Sequence, residues 1–277
     1  MISKNAKLEL LKTEIRRIWG FPVLELAIGF LTLIAVTTIR TLHQITNESK
    51  AQLILNGVVA DSVYDIMNNQ LLPIGLFCGI LVALSFAKDY EQGLIQTLLS
   101  SPLSRSTVFI VKFVAVTTPL TLLTWGLTMS IIAINYNLGE ATIFLLLQAA
   151  AASLLTTFLS VFFFGGLATL IALIVKRTIP AAITTMTIGF LMYLITTLRS
   201  ETIGSLANYI AFTPFKASLL GLGKLIGANY AASSSFAQNS FENSVPAYGF
   251  LAITLCYGLA LVIPMYLYFT RRFEVRE

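Results

Sequence analysis

The sequence IFLLLQAAAASLLTTFLSVFFFGGLATLIALIV, residues 143–175, contains no charged side chain. A helix of this length rises about 50 Å at 1.5 Å per residue, whereas the hydrocarbon core of a bilayer is ~30 Å thick. The stretch therefore predicts a membrane-spanning helix that is tilted, bent or extends beyond the membrane. We expect the bend, or a close contact with another helix, at the adjacent glycines Gly165 and Gly166.

Five further apolar runs flank this stretch and predict an all-α membrane protein with six transmembrane helices. They cover residues 21–42, 70–87, 107–134, 178–198 and 247–270. Of the 277 residues, 56% are hydrophobic and 11% are charged, against about 25% charged residues in an ordinary globular chain. So little charge excludes a soluble globular fold. Residues 1–277 are expected to form a single transmembrane domain.

Lysine and arginine residues predict the orientation of the spans. The connecting segments divide the eighteen basic residues into thirteen on one side and five on the other, the five being Arg40, Lys50, Arg199, Lys216 and Lys224. Cytoplasmic segments are enriched in Lys and Arg, so the richer side and both termini are predicted to be cytoplasmic, with the chain in the cell membrane. The net charge of +5 is therefore interpreted as basic residues at the membrane ends of the spans, where they fix the orientation. Membrane lipid, and not nucleic acid, is therefore the expected partner of these charges.

Residues 1–20 precede the first span and predict an amphipathic helix in the membrane interface. Apolar residues recur at spacings of three and four, at Leu8, Leu11, Ile15 and Ile18. Charged residues lie off this stripe, and a basic amphipathic helix that ends in Trp19 is typical of an interfacial segment. Glu25, near the inner end of the first span, is expected to pair with Arg16, Arg17 or a cytoplasmic loop.

Two longer segments are predicted on the outer side, residues 43–69 and residues 199–246. The first half of the latter is too apolar for a free loop and too interrupted for a span. We expect short helices there that dip into the outer leaflet against the spans. Residues 229–244, rich in Ser, Ala and Asn, predict an exposed loop. In the second span, Gly75 and Gly79 have the spacing of a close helix contact, although apolar runs contain this spacing often.

Residues 88–106 separate the second and third spans and form the most informative loop, AKDYEQGLIQTLLSSPLSRSTVFIVK when read from Ala87 to Lys112. Gly93 permits a sharp change of direction, and Pro102 ends the short helix that follows. That helix has one apolar edge, formed by Leu94, Ile95, Leu98 and Leu99. A plain hairpin needs only a few residues, so we expect this cytoplasmic helix to meet a partner.

This loop resembles the signature of type-2 ABC transporter permeases through Asp89, Glu91, Gly93, Leu98–Leu99, Ser101–Pro102, Ser104–Arg105 and Lys112. The resemblance implies a dimer with a second permease copy or a related chain, bound to two copies of a separate ABC ATPase subunit. It also implies that residues 92–100 form the coupling helix. The residues expected at the ATPase interface are Asp89, Glu91, Gln92, Gly93, Leu94, Gln96, Leu98, Leu99, Ser101, Pro102 and Arg105.

The chain lacks a phosphate-binding loop of its own. The nearest sequence, at 221–225, has neither the leading glycine nor the final hydroxyl residue of G-x-x-x-x-G-K-[ST]. ATP and Mg²⁺ are therefore expected on the partner ATPase subunit, and we assign no catalytic residue, metal site or cofactor to this chain. The expected function is to couple ATP hydrolysis to export of an amphipathic or hydrophobic substrate, such as a drug, a peptide or a lipid-like molecule.

The resemblance implies a substrate path lined by the first, second and fifth spans. Candidate residues for this path are Thr32, Thr37, Ser85, Thr184, Thr187 and Tyr193, although such side chains serve equally well as hydrogen-bonding links between helices. Two alternatives stay open. An ion-coupled secondary transporter would need ionisable groups near the midplane, and a non-transporting anchor or sensor could use the same ATPase.

Overall fold

A computed structural model describes residues 4–48, 55–95, 104–135, 143–197, 207–227 and 245–271. Within these ranges every regular element is helical, so the predicted all-α class is confirmed. In chain order the first elements are α1 (Lys4–Ile18), α2 (Val23–Glu48), α3 (Leu55–Val82), a π-helix (Ala83–Ala87) and α4 (Lys88–Glu91). The remaining elements are α5 (Arg105–Asn135), α6 (Ile143–Val175), α7 (Thr178–Thr197), α8 (Ala207–Ile210), α9 (Pro214–Ile226) and α10 (Ala247–Arg271).

Five of the described helical stretches are long and apolar enough to cross a membrane, which makes the chain a multi-pass helical membrane protein. They are Ala60–Glu91, Arg105–Ala133, Leu146–Val175, Thr178–Ile195 and Ala247–Arg271. The helices before them bend by 66° between Ile18 and Val23, and this bent pair counts as a sixth span if it is taken as one unit.

Four helices, α5, α6, α7 and α10, match the predicted spans to within two residues at each end. The second span differs, because α3 begins at Leu55 and not near residue 70. Helix α2 likewise continues to Glu48, so most of the predicted outer segment 43–69 is helical. The acidic and amide residues around Asp61 and Asp65 end the apolar run, but they do not end the helix, because its backbone hydrogen bonds are made internally.

Helix α6 lies at the centre of the bundle and contacts α3, α5, α7, α9 and α10. Helix α3 packs in turn against α2, α5 and α7. The core joins side chains from all of the long helices in one cluster. Contacts of Arg17 at the end of α1, Lys112 near the start of α5 and Lys176 after α6 occur at one end of this bundle, where the candidate site lies.

Close helix contacts occur at the glycines singled out in the sequence. A Cβ at Gly165 would lie 2.9 Å from Cγ2 of Thr117 on α5, and one at Gly166 would lie 3.1 Å from Cγ2 of Val262 on α10. A Cβ at Gly79 would lie 3.1 Å from the Cβ of Thr185 on α7. The glycines therefore let α3 and α6 approach their neighbours more closely than any larger residue would allow.

Helix α9 lies in the segment 199–246, for which an outer position was predicted, and it packs against the bundle. It begins with Pro214 in its first turn and ends at Gly227, whose φ of 69° is the left-handed conformation common after a helix. It packs against α6, α10 and α3 and is buried over most of its length. The loop predicted at 229–244 lies outside the described residues.

Candidate functional site

The buried face of α1 differs from the predicted stripe by one position. Leu8 is exposed, and the residues that face the bundle are Leu11, Glu14, Ile15 and Ile18. Beyond the helix, the indole nitrogen Nε1 of Trp19 donates a 3.0 Å hydrogen bond to the carbonyl of Ala115. This bond joins the end of α1 to α5. The buried face of α1 therefore faces the bundle, and the side chain of Glu14 lies inside the protein.

The π-helix between α3 and α4 supplies a carbonyl group to the site. Its wider turn is closed by the amide of Lys88, which bonds to the carbonyl of Ala83. Short π-helical turns inside α-helices are rare and occur often at functional sites. Here the carbonyl oxygen of Ser85 accepts a 2.9 Å hydrogen bond from Nζ of Lys112 and a longer one, 3.5 Å, from Nη2 of Arg17.

Two carboxylates and two cations form a cluster at this point, which we call the ion cluster: Glu14, Arg17, Asp89 and Lys112. Three of them are buried, whereas Arg17 closes the cluster on its exposed side. Nζ of Lys112 lies 3.0 Å from Oε1 of Glu14 and also bonds to Oδ2 of Asp89. Nη2 of Arg17 lies 2.7 Å from Oε2 of Glu14 and 3.1 Å from Oδ2 of Asp89, and Nη1 pairs with Oδ1. Each carboxylate therefore contacts both cations, and the formal charges cancel.

Burial makes the members of the ion cluster depend on one another. Asp89 is 0% exposed, Lys112 is 1% exposed and Glu14 is 4% exposed. A buried charge is tolerated only when it is paired and hydrogen-bonded. Burial alone would lower the pKa of the Arg17 guanidinium, but its bonds with Asp89 and the charge of Glu14 outweigh this effect and raise the pKa above its ordinary value. Arg17 thus stays charged.

A second set of contacts joins α4 to the connection between α6 and α7. Oε2 of Glu91 accepts hydrogen bonds from the backbone amide of Thr178, at 3.0 Å, and from its hydroxyl, at 2.7 Å. A carboxylate at this position caps the N-terminus of α7, where amide groups are unpaired and the helix dipole is positive. Lys176, with a left-handed φ of 57°, donates to the hydroxyl of Tyr90 at 3.0 Å and lies over its ring.

The predicted interface residues divide into three groups. Asp89 is buried in the ion cluster, so it acts on a partner only through the residues that it holds. Glu91, Gln92, Gly93 and Leu94 are exposed at the turn that includes Gly93, whose φ is 69°, and Arg105 is exposed at the start of α5. Gln96, Leu98, Leu99, Ser101 and Pro102 lie outside the described residues. The described part of the segment thus has a buried anchor and an exposed tip.

The candidate path residues occupy different environments. Thr184 and Thr187 are exposed on α7, Thr37 is exposed on α2, and Thr32 and Tyr193 are half-buried. Ser85 is fully buried in the π-helix. Neither of the two cavities discussed below is lined by any of these six residues. Their role in a substrate path stays a prediction.

Two members of the ion cluster were missed by sequence reasoning. Glu14 was placed with the charged residues that lie off the apolar stripe of α1, and Lys112 was named as part of the permease signature, with no partner assigned. The pairing expected for Glu25 is wrong for Arg17, whose carboxylate partners are Glu14 and Asp89, and Glu25 itself is exposed. The available signal was the i, i+3, i+4, i+7 spacing, which places residue 14 between Leu11 and Ile18.

No family model matches this chain, and a comparison of its sequence with curated proteins gives no match. Among the described residues, no group of three His, Cys, Asp or Glu side chains is arranged to hold a metal ion. What the site can do therefore follows from its geometry. It joins the ends of α1, α3, α5, α6 and α7 through one short segment.

Proposed function

We propose that this chain is the membrane-spanning permease subunit of an ATP-driven exporter of the type-2 ABC class. In this role it couples ATP hydrolysis, performed by a separate nucleotide-binding subunit, to export of an amphipathic or hydrophobic substrate. The chain supplies the moving helices, and the partner subunit holds ATP and Mg²⁺.

One observation carries this proposal: Asp89 and Glu91, two residues apart, anchor the same short segment to different helices of the bundle. Asp89 binds Arg17 of α1 and Lys112 of α5. Glu91 binds the first residue of α7. A force on the exposed tip at Gly93 would therefore reach the ends of several helices at once. That is the property required of a segment that receives work from a soluble engine.

The number of spans and the position of the termini belong to the same proposal. The bent pair of α1 and α2 provides the interfacial helix and the first of six spans, with both termini in the cytoplasm. Contacts bring Arg17, Lys112 and Lys176 to one end of the bundle, which is the end that the distribution of basic residues assigns to the cytoplasm. Two permease chains and two ATPase subunits complete the exporter.

Affinity purification of the tagged chain from its native membrane tests the proposal. We expect an ATP-binding subunit to co-purify and the complex to hydrolyse ATP. A chain that purifies alone, in a detergent that preserves known membrane complexes, would overturn the proposal and favour an ion-coupled transporter. A bound ATPase whose turnover responds to no amphipathic compound would favour the non-transporting anchor or sensor.

Replacement of Glu91 by alanine should weaken the coupling between the two subunits. The variant removes the acceptor for the amide and hydroxyl of Thr178 and frees the segment from α7. We expect the ATP turnover of the complex to change by about fivefold or more, the usual lower range for coupled sites. Glu91→Gln keeps an acceptor oxygen, so its ATP turnover should lie between those of the unchanged protein and the alanine variant. Unchanged turnover in the alanine variant, with the complex intact, would contradict a role for Glu91.

Replacement of Gly93 by valine should reduce association with the ATPase subunit. A Cβ at this position would meet nothing within 4 Å, so the effect comes from the backbone alone. A left-handed φ costs a residue with a Cβ about 1–2 kcal/mol, and more if the side chain is β-branched. Gly93→Asn is the matched control, because asparagine adopts this conformation readily. Equal recovery of the ATPase subunit with both variants would show that the direction of the turn is unimportant.

A further inference from the structure

A groove opens between the C-terminal parts of α6 and α10, at the basic end of the bundle. Its cavity has a volume of about 450 Å³ and is lined by Leu170, Leu173, Ile174, Lys176, Pro264, Met265 and Tyr268. Met265 forms the buried floor, whereas Ile174 is 70% exposed and Tyr268 is 44% exposed. Since α6 and α10 are both membrane-spanning stretches, the open side of this apolar groove faces lipid.

Positive charge surrounds the end of the groove. Lys176 directly follows α6, and its ammonium group is positioned by the hydroxyl and the ring of Tyr90. Arg177 is exposed beside it. On α10, Arg271 follows Pro264 by seven residues and Tyr268 by three, so it lies on the helix face that lines the groove, and it is also exposed.

The negative charge near the groove is smaller than this positive charge. Glu91 bonds to Thr178 and lies close enough to Arg177 for the two charges to interact. Among the described residues, one carboxylate against the three cations Lys176, Arg177 and Arg271 leaves a net positive charge where the groove meets the membrane surface. An occupant must therefore combine an apolar chain with an anionic group at one end.

We propose that this groove is a binding site for an anionic phospholipid, from the leaflet that meets the basic end of the bundle. An acyl chain lies along the apolar side chains, and the phosphate is bound by Lys176 and Arg271. A second negative charge in the headgroup adds to the affinity, whereas the choline group of a zwitterionic lipid is repelled. This site does not depend on the proposed transport function, because it requires only a membrane.

A second cavity provides an internal control. It has a volume of about 430 Å³ and is lined by Thr118, Thr121, Leu122, Ala151, Leu154, Leu155 and Phe158, none of which is charged. It lies between α5 and α6 and is similar in size to the groove. It should therefore accept lipid chains without distinguishing between headgroups.

The test measures lipid binding by the purified full-length chain in detergent, using native mass spectrometry. The probes are phosphatidylglycerol and phosphatidylcholine with identical acyl chains. We expect phosphatidylglycerol to bind about tenfold more tightly, since each basic residue near an anionic lipid contributes substantially to affinity. Arg271→Gln should reduce this preference about fivefold, and the Arg177→Gln/Arg271→Gln variant should reduce it further, to the contribution of Lys176 alone. Both residues are exposed, so the variants should remain folded.

Steric variants locate the site. Ile174→Trp should fill the groove and remove the preferential binding of phosphatidylglycerol, whereas Leu155→Trp, in the control cavity, should leave that preference unchanged. Equal affinity for the two lipids would overturn the proposal, as would a preference that survives both the arginine and the Ile174 changes. Displacement of the lipid by its water-soluble headgroup at similar concentration would also overturn it, because the apolar groove would then contribute nothing.

Discussion

Replacement of Lys112 by methionine is expected to be among the most destabilising single substitutions in this protein. The change keeps most of the side-chain volume but leaves Asp89 and Glu14, both buried, with Arg17 as their one cationic partner among the described residues. Removing one partner from a buried ionic group costs about 3–5 kcal/mol, because the remaining charge has lost its compensation. The free energy of unfolding, measured by denaturant titration in mixed micelles, should fall by this amount.

Two further variants make the Lys112 prediction specific. Lys88→Met removes the same charge from an exposed residue of the same segment and should change stability by less than about 0.5 kcal/mol. The double variant Lys112→Met/Asp89→Asn restores a neutral cluster. It should be less destabilised than the sum of the two single changes, by about 2 kcal/mol. Additive effects would mean that the two charges do not interact as the geometry indicates.

Replacement of Gly258 by alanine is expected to have the second large effect. A Cβ at this position on α10 would lie 2.5 Å from Cδ1 and 2.9 Å from Cε1 of Phe162 on α6. Because the two helices are in close contact along their length, either the phenyl ring or the helices must move. Overpacking of this kind costs about 1–3 kcal/mol, which should appear as a lower melting temperature.

The control for Gly258 should change stability in the opposite direction. Gly126 on α5 has no atom within 4 Å of the position that a Cβ would take, so Gly126→Ala should stabilise the helix by about 0.5–1 kcal/mol. A second change, Phe162→Leu, should relieve the contact and restore part of the stability of Gly258→Ala. A neutral effect of Gly258→Ala alone would show that α6 and α10 are free to separate.

Most of the helical architecture could be predicted because the signal is local. The apolar runs that became α5, α6, α7 and α10 are set by the thickness of the hydrocarbon core and end at charged or polar residues. The second span was predicted too short at its N-terminal end because hydropathy measures the apolar part of a helix and not the whole helix. Asp61 and Asp65 end the apolar run, whereas the helix α3 extends past them to Leu55.

The candidate site was only partly predictable, because its contacts join residues far apart in sequence. Residues 88–106 were recognised from their charges, glycine and proline, and from the resemblance to a permease signature. The partners of Asp89 were not recognised, because Arg17 is 72 positions away and Lys112 is 23 positions away, each on a different helix. In a hydropathy profile, Lys112 is simply a basic residue near the start of a span.

By itself, then, the amino-acid sequence determined that this protein crosses a membrane as a helical bundle, and it located the short charged segment on which the function proposed here depends. Only the tertiary structure decided which charges meet. The π-helix presents the carbonyl of Ser85, the buried face of α1 carries Glu14 inward, and α5 carries Lys112 to both carboxylates. Composition dictates the helices because each segment exchanges water for lipid independently, whereas ion pairing depends on distances of about 3 Å that arise only when the helices pack.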